Sequence, residues 1–411
     1  MGTDERRKVI HCGRLIDGVA DEAAGSSTVV VRGNRIESIG PRGAASAAGD
    51  VVDLGSLTVL PGLIDLHAHV MHEPLGDSFG SFLRGSSARK TLYGLWRAQG
   101  MLRLGFTTLR DPGDVDRYFG LVELRDAIAR GHFVGPRLLV APHALTPTGG
   151  HADLNELASD IPPDVAGRIV SGPDSMREVV RDEIKYGADW IKLYVSGGVM
   201  SARDDPRIQT FTDDEIRAGV DEAHRLHRKV SVHAHGTQSI KTSVRAGVDS
   251  VEHGSFIDDE GIRLMVEHRV GLVPTIYTLK YILEEGAAQG IPEERIAKAR
   301  AVDEARIPRL RAAAQAGVPI AFGSDTIFPI EYSPREFWAL EEIGLTPMQS
   351  IRSATRNAAT ILGLQGDLGT LEPGKIADLI AVRGDPLENL RHMENVVWVM
   401  KDGVVVKNEL E

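Results

Sequence analysis

A single cysteine, Cys12, is all the thiol chemistry this 411-residue chain has. That excludes an intrachain disulfide and any cysteine-built metal cage, and it suits a reducing compartment. No run of about 18 apolar residues occurs, so no segment reads as a membrane-spanning helix. The opening MGTDERRKVIHCG is charged where a secretory leader needs an apolar core, and the expected location is the cytoplasm. Positive charge is in deficit, with 47 Lys and Arg against 58 Asp and Glu, a formal balance of −11. Nucleic acid and anionic membrane would both be repelled, so neither is expected as a main partner. A small molecule answers to the local field and stays compatible with this charge. Internal repeats and low-complexity tracts are missing as well.

What remains is ordinary for a soluble globular protein, 42% apolar and 26% charged. The length exceeds one small core and calls for a large domain or two. Both ends have the same texture. KVIHCGRLIDG, STVVVRGNRIESIG and VVDLGSLTVL near the start, and KIADLIAVRG, VVWVMKDG and VVVKN near the finish, are short β-branched runs bounded by Gly, Asn or Asp. The expectation is a discontinuous small β-sandwich domain from residues 1–56 and 370–411.

Between them, over 57–369, apolar runs alternate with helical patterns. The expected strands are 62–67, 107–111, 137–142, 189–194, 229–234, 249–253, 270–275 and 319–325. Helices are expected at 177–187, 213–227 and 258–268, the second capped by Thr212 or Asp213 with Glu215 placed for a capping box. Eight strand–helix units over roughly 300 residues are the arithmetic of a (β/α)8 TIM barrel. A doubly wound sheet is the alternative, but nothing makes it stop at eight. Longer polar stretches at 71–90, 143–172, 195–211 and 276–297 would lie at the carboxyl face of such a barrel.

Polar residues gather at the ends of these runs. His67 and His69 follow the first, Lys192 lies near the end of the fourth, His233 ends the fifth, His253 the sixth and Asp325 the eighth. Each has an ordinary structural explanation alone. Lys192 would snorkel from an edge strand, Asp325 would sit in a turn, and His253 would cap a helix. Together they occupy the same end of their strands and would meet at one mouth. Imidazoles and a carboxylate suit a first-row divalent metal, with zinc the default. His67 and His69 alternate and so can reach one ion. A buried lysine loses basicity, and its free amine can add carbon dioxide to become a carbamate that bridges two metals.

The segments HAH (67–69), IKLYVSGGVMS (191–201), HAHG (233–236), EHGS (252–255) and FGSDT (322–326), with the tail 354–382, resemble the amidohydrolase superfamily over nearly the whole chain. GGVMS and HAHG look most like its prolidase-like carboxypeptidase branch, which includes ochratoxin-cleaving amidases. The resemblance implies that His67, His69 and Asp325 hold one metal, and His233 and His253 the other. It implies Lys192, carboxylated by carbon dioxide or bicarbonate, as the bridge beside a hydroxide. Asp325 would act as base and then acid. His235 and Tyr194 would face the substrate and stabilise the oxyanion, and His151 in TGGHAD would contact substrate. A homo-oligomer is also implied. The expected reaction is hydrolysis of a dipeptide or N-acyl amino acid with a free carboxylate, ochratoxin-type amides included. Cyclic-amide, lactone and phosphotriester hydrolases share the lysine and stay open, deaminases generally lack it, and a silent binding scaffold would have lost ligands. Arg84, Arg89, Arg203 and Arg207 are candidates to read a carboxylate, with exposure to solvent as their plainer role.

Overall fold

The computed structural model describes residues 7–43, 49–74, 84–114, 116–154, 158, 160 and 167–410. The central parts of the polar stretches 71–90 and 143–172 lie outside the described residues. In chain order the strands are β1 (Arg7–Leu15), β2 (Ser27–Arg32), β3 (Arg35–Pro41), β4 (Asp50–Pro61), β5 (Leu63–Asp65), β6 (Phe106–Asp111), β7 (Arg137–Val140), β8 (Ala144–Thr146) and β9 (Arg168–Ile169). They continue as β10 (Trp190–Tyr194), β11 (Lys229–Ala234), β12 (Ser250–His253), β13 (Gly271–Val273), β14 (Leu379–Val382), β15 (Val396–Lys401) and β16 (Val404–Asn408).

The β-branched runs at the two ends meet in one seven-stranded sheet, ordered β16-β15-β14-β4-β1-β2-β3. Alternation sends successive side chains to opposite faces. Leu379, Ala381, Trp398 and Met400 join Ile10 and Cys12 in one core, whereas Ile380, Val382, Val399 and Leu60 pack into the main body. Cys12 is thus sealed in apolar surroundings, and burial pushes its thiol up to about 12. Instead of two separate facing sheets, edge strand β3 is tied back toward β14. The Ile36 N–H donates to Lys375 O at 2.9 Å and the Ala377 N–H to Asn34 O at 2.8 Å.

The middle of the chain is α/β with parallel sheets, β13-β12-β11-β10-β8-β9 and β5-β6-β7. Strands covered on both faces read as continuous apolar runs, and β6 is buried at all six positions. Two expected strands come out differently. The third breaks at Pro142, which offers no N–H to a ladder, so β7 pairs with β6 while β8 pairs with β10. The eighth, 319–325, begins at Pro319 and makes a single bridge, Ile320 with Leu272. Phe322 O still accepts from the Leu66 N–H at 3.0 Å, joining this segment to the first strand. The helices form near their expected places, Pro173–Lys185, Asp213–Arg225 and Asp259–His268. Thr212 is the cap of the second, its hydroxyl accepting from Glu215 N while Glu215 accepts from Thr212 N. The stretch 276–297, read as polar loop, contains the helix Ile276–Glu285 and the start of Glu293–Gln315. Among the described residues no helix is long and apolar enough to cross a membrane.

Candidate active site

Strand alternation places Lys192 and Tyr194, Ser231 and His233, and Ser250 and Glu252 on shared inward rows, because the parallel ladder sets Lys192 beside Ser231 and His233 beside Glu252. His253 follows Glu252 directly and should point the other way. Its backbone takes φ 71°, a left-handed conformation uncommon outside glycine, and its imidazole lines the same cavity. Thr275 (φ 48°) and Asp325 (φ 51°) share this conformation. Ala152 (φ 68°) and Leu154 (φ 48°) on the same cavity share it too, and such breaks around one site are where local strain serves function.

The hydrogen bonds fix which ring nitrogens carry lone pairs. His69 Nδ1 lies 2.7 Å from Gly113 O, which only accepts, so Nδ1 carries the proton and Nε2 is bare. His67 Nδ1 donates to Glu252 Oε2 at 2.9 Å. The Thr275 hydroxyl donates to Pro274 O and therefore accepts from His253 Nδ1, at 2.7 Å. His233 is turned the other way, with Nε2 3.2 Å from Gly197 O and Nδ1 left as the lone-pair atom. The bare Nε2 atoms of His67 and His69 face each other at 3.2 Å, with Asp325 Oδ1 at 3.7 and 3.4 Å. Neighbouring lone pairs and a carboxylate oxygen repel unless a cation lies among them, so this donor set fits a divalent ion.

Ligating atoms of His67, His253 and Asp325 lie within 4.8 Å of one another, as do those of His233, His235 and His253, and those of His69, Asp111 and Asp114. His235, expected to face substrate, is therefore as close to the second cluster as the two expected ligands. Burial holds His67, His233 and His253 well below the usual imidazole range and takes His69 and His235 down to about 3, so all five stay neutral. Burial lifts Asp325 to about 7, with Asp65 and Glu252 adding to the rise against Lys192. Lys192 is fully buried, its Nζ has no hydrogen-bond partner, and burial brings its pKa down to about 8. An unpartnered buried amine is costly, which makes this the least self-sufficient side chain in the cavity.

Several supports escaped the sequence reading. Glu252 orients His67 and is held by Arg110 Nη2 at 2.7 Å; Arg110 also donates to Leu66 O and Ser250 Oγ and lies on Trp190. The available signal was a charged residue inside each of the apolar runs TTLRD and DSVEH. Asp65 accepts from the backbone N–H of His67 and from Ser324, so it fixes the chain and not the ring. Glu336 accepts from the N–H groups of Ile276 and Tyr277, and Arg306 donates to the carbonyls of Thr275 and Ile276. Arg306 thus clamps Thr275, which orients His253, and Glu336 holds the backbone directly after it.

The five histidines, Thr275, Arg306 and Asp325 line a cavity of about 220 Å³, with Tyr194 and His151 among its walls. His151 stacks on His233 at 4.5 Å and meets Tyr194 edge-on. Its Nδ1 lies 3.5 Å from Asp204. Burial raises the Tyr194 pKa, keeping a hydroxyl available as a donor. Arg84, Arg89, Arg203 and Arg207 are exposed and are not among the lining residues, which include Arg295 and Arg306 instead.

The sequence profile described as "Amidohydrolase family" matches residues 58–406. Ochratoxinase from Aspergillus niger is 33% identical over 376 residues, covering 85% of this chain and 75% of that protein. A solved Xaa-Pro dipeptidase with methionine bound in its active site is 36% identical, superposes with a TM-score of 0.91 and covers 98% of this chain and 100% of that one. A prolidase complexed with N-methylphosphonate-L-proline is 33% identical, with a TM-score of 0.90 and coverage of 98% and 100%.

Proposed function

This chain belongs to the amidohydrolase family and is a hydrolase of carbon–nitrogen bonds, and from that premise we propose that it cleaves the amide bond of dipeptides or N-acyl amino acids with a free carboxylate. The observation that carries the reading is the orphaned, buried Lys192 amine, which acts electrostatically on Asp325 and on the lone-pair imidazoles that line the cavity. The similarity to a dipeptidase, a prolidase and an ochratoxinase supports the choice of amide. In this reading the parallel sheets are parts of one (β/α)8 barrel over 57–369, and the terminal sheet is a separate unit.

His67, His69 and Asp325 would hold one divalent ion and His233 and His253 a second, with zinc the expected metal and Lys192, as its carbamate, supplying an oxygen to each. Two ions bound there would supply an activated water and a polarised carbonyl. The chain's own residues do the rest. Asp325 accepts a proton from the attacking water and returns it to the departing nitrogen. Tyr194 and His235 offer hydrogen bonds to the oxyanion that develops on the carbonyl. His151, against His233 and Tyr194, contacts the substrate.

The test is a kinetic comparison after reconstitution with zinc and bicarbonate. N-acyl-L-amino acids, Xaa-Pro dipeptides and ochratoxin A should turn over, and the matching carboxamides should be poorer by tenfold or more. Hydrolysis of lactones or phosphotriesters with no amide cleaved would overturn the reading. Two variants probe the supports. Thr275→Val keeps the side-chain shape but deprives His253 Nδ1 of its acceptor, and metal affinity should fall by about 10- to 100-fold, read by competition with a chelating dye. Unchanged affinity would remove Thr275 from the centre. Gly198→Ala would set a Cβ 2.2 Å from the His151 ring. The ring must move, and kcat/KM should drop by up to about 10²-fold with metal content unchanged. Full activity there would dismiss His151 as a substrate contact.

A further inference from the structure

The cavity has a second character beyond its histidines. Val199, Met200, Leu279, Ile282 and Ile327 line it too. Val199, Leu279 and Ile282 belong to a hydrophobic cluster of their own with Ile291, Ile296, Ala299 and Val302, and Met200 and Ile327 pack against it. The cluster is a continuous aliphatic surface with one side open to the site.

Nearby polar groups are already engaged. Thr278 lines the cavity, but its hydroxyl donates to Ser324 O at 2.9 Å. The carbonyls of Gly198, Ser201 and Asp204 are drawn to Lys298 Nζ at 3.2, 2.6 and 2.9 Å. Lys298 stands on the helix Glu293–Gln315, which also supplies Ile296, Ala299 and Val302. One helix therefore pins the loop that presents Val199 and Met200 and backs the apolar wall behind it. A wall fixed from behind is a shaped surface for a ligand and not loose loop packing.

We propose that this wall is a specificity subsite for a large apolar side chain, aliphatic or aromatic, on the residue flanking the scissile bond. The inference rests on the amide-hydrolase reading and adds its side-chain class. An apolar group seated there leaves water for an apolar surface, whereas a carboxylate or ammonium side chain loses hydration without a partner among these five residues. Arg295 lines the same cavity, so an acidic preference is the rival outcome.

The experiment uses the zinc- and bicarbonate-reconstituted chain with three series, Gly-X, X-Gly and N-acetyl-X, where X is Gly, Ala, Leu, Phe, Asp or Lys. In at least one series kcat/KM should rise about tenfold or more from Ala to Leu or Phe. Asp and Lys should fall below Ala. Leu279→Ala should shrink the Leu/Gly ratio of kcat/KM about tenfold, and Met200→Glu should raise Lys relative to Leu. A flat profile, or a preference for Asp or Lys, would overturn the subsite while turnover itself upholds amide hydrolysis. No turnover on any amide by the metal-loaded protein would overturn the amide reading and the subsite with it.

Discussion

Lys192→Ala should lose at least about 10³-fold in kcat on whichever amide proves the best substrate. The side chain is wholly buried, its charge acts on all five histidines of the site, and its amine has nothing to bond. A lysine with only a structural role would have a carboxylate or carbonyl at Nζ, and none is within hydrogen-bonding distance. As a carbamate it would help hold both ions, and its loss removes electrostatic stabilisation on the order of 4 kcal/mol. At about 1.36 kcal/mol per tenfold, that is close to 10³. Metal content should drop from two ions per chain toward one. Alanine leaves room for a short carboxylic acid, so millimolar propionate should restore part of the activity to Lys192→Ala and none to Lys192→Met. A Lys192→Ala protein with full activity and two ions would remove the bridging carbamate from the account.

Asp325→Asn should keep substrate affinity and lose turnover, with kcat down by about 10²- to 10⁴-fold. The amide is the same size as the carboxylate and can still offer an oxygen toward His67 and His69, but it cannot take up a proton from water. In the metal-free chain burial raises the Asp325 carboxyl to about 7. Its backbone is pinned by its own N–H to His67 O at 2.6 Å, and the next residue's hydroxyl accepts from the His69 N–H at 3.0 Å. Replacement therefore changes chemistry more than position. The signature is a fall in kcat with KM nearly unchanged, measured by steady-state kinetics at matched metal content. A purely structural Asp325 would show loss of metal or of folding, and a small effect on kcat in the folded, loaded protein would end its role as the proton shuttle.

Much of this site was legible because a parallel strand makes position carry meaning. A polar residue at the end of an apolar run points at the carboxyl face of its sheet, so His67, Lys192, His233, His253 and Asp325 could be gathered without knowing how the strands were ordered. Period-two alternation also put His67 and His69 on one face. The same rule concealed Glu252: next to His253 it should point away, and only the left-handed break at His253 lets both face inward. A φ value of that sign at a histidine has no sequence signature. Thr275 was hidden for the same reason, because its φ of 48° turns a strand-end threonine onto the His253 ring. Arg110, Glu336 and Arg306 act across long sequence separations, through contacts that exist only after folding.

The fold divides along the same line. Alternation and turn residues announced the terminal strands, and β2 and β3 meet around Gly33, which takes φ 59°. They did not say that those strands would form one sheet folded back at its edge. Pro142 and Pro319 were visible as residues that cannot donate to a ladder, yet each was absorbed into an apolar run; Pro142 marks where the third expected strand breaks, and Pro319 opens the eighth, which makes a single bridge.

The most direct test of the account is the metal content of the folded chain. Protein reconstituted with zinc and bicarbonate, freed of loose ion by gel filtration and measured by plasma mass spectrometry, should carry two zinc ions per chain. The Lys192→Ala, His233→Ala and His67→Ala proteins should each fall toward one or none. Wild-type protein that folds, is offered zinc and bicarbonate, and retains no divalent ion would contradict the binuclear centre on which the proposed chemistry depends.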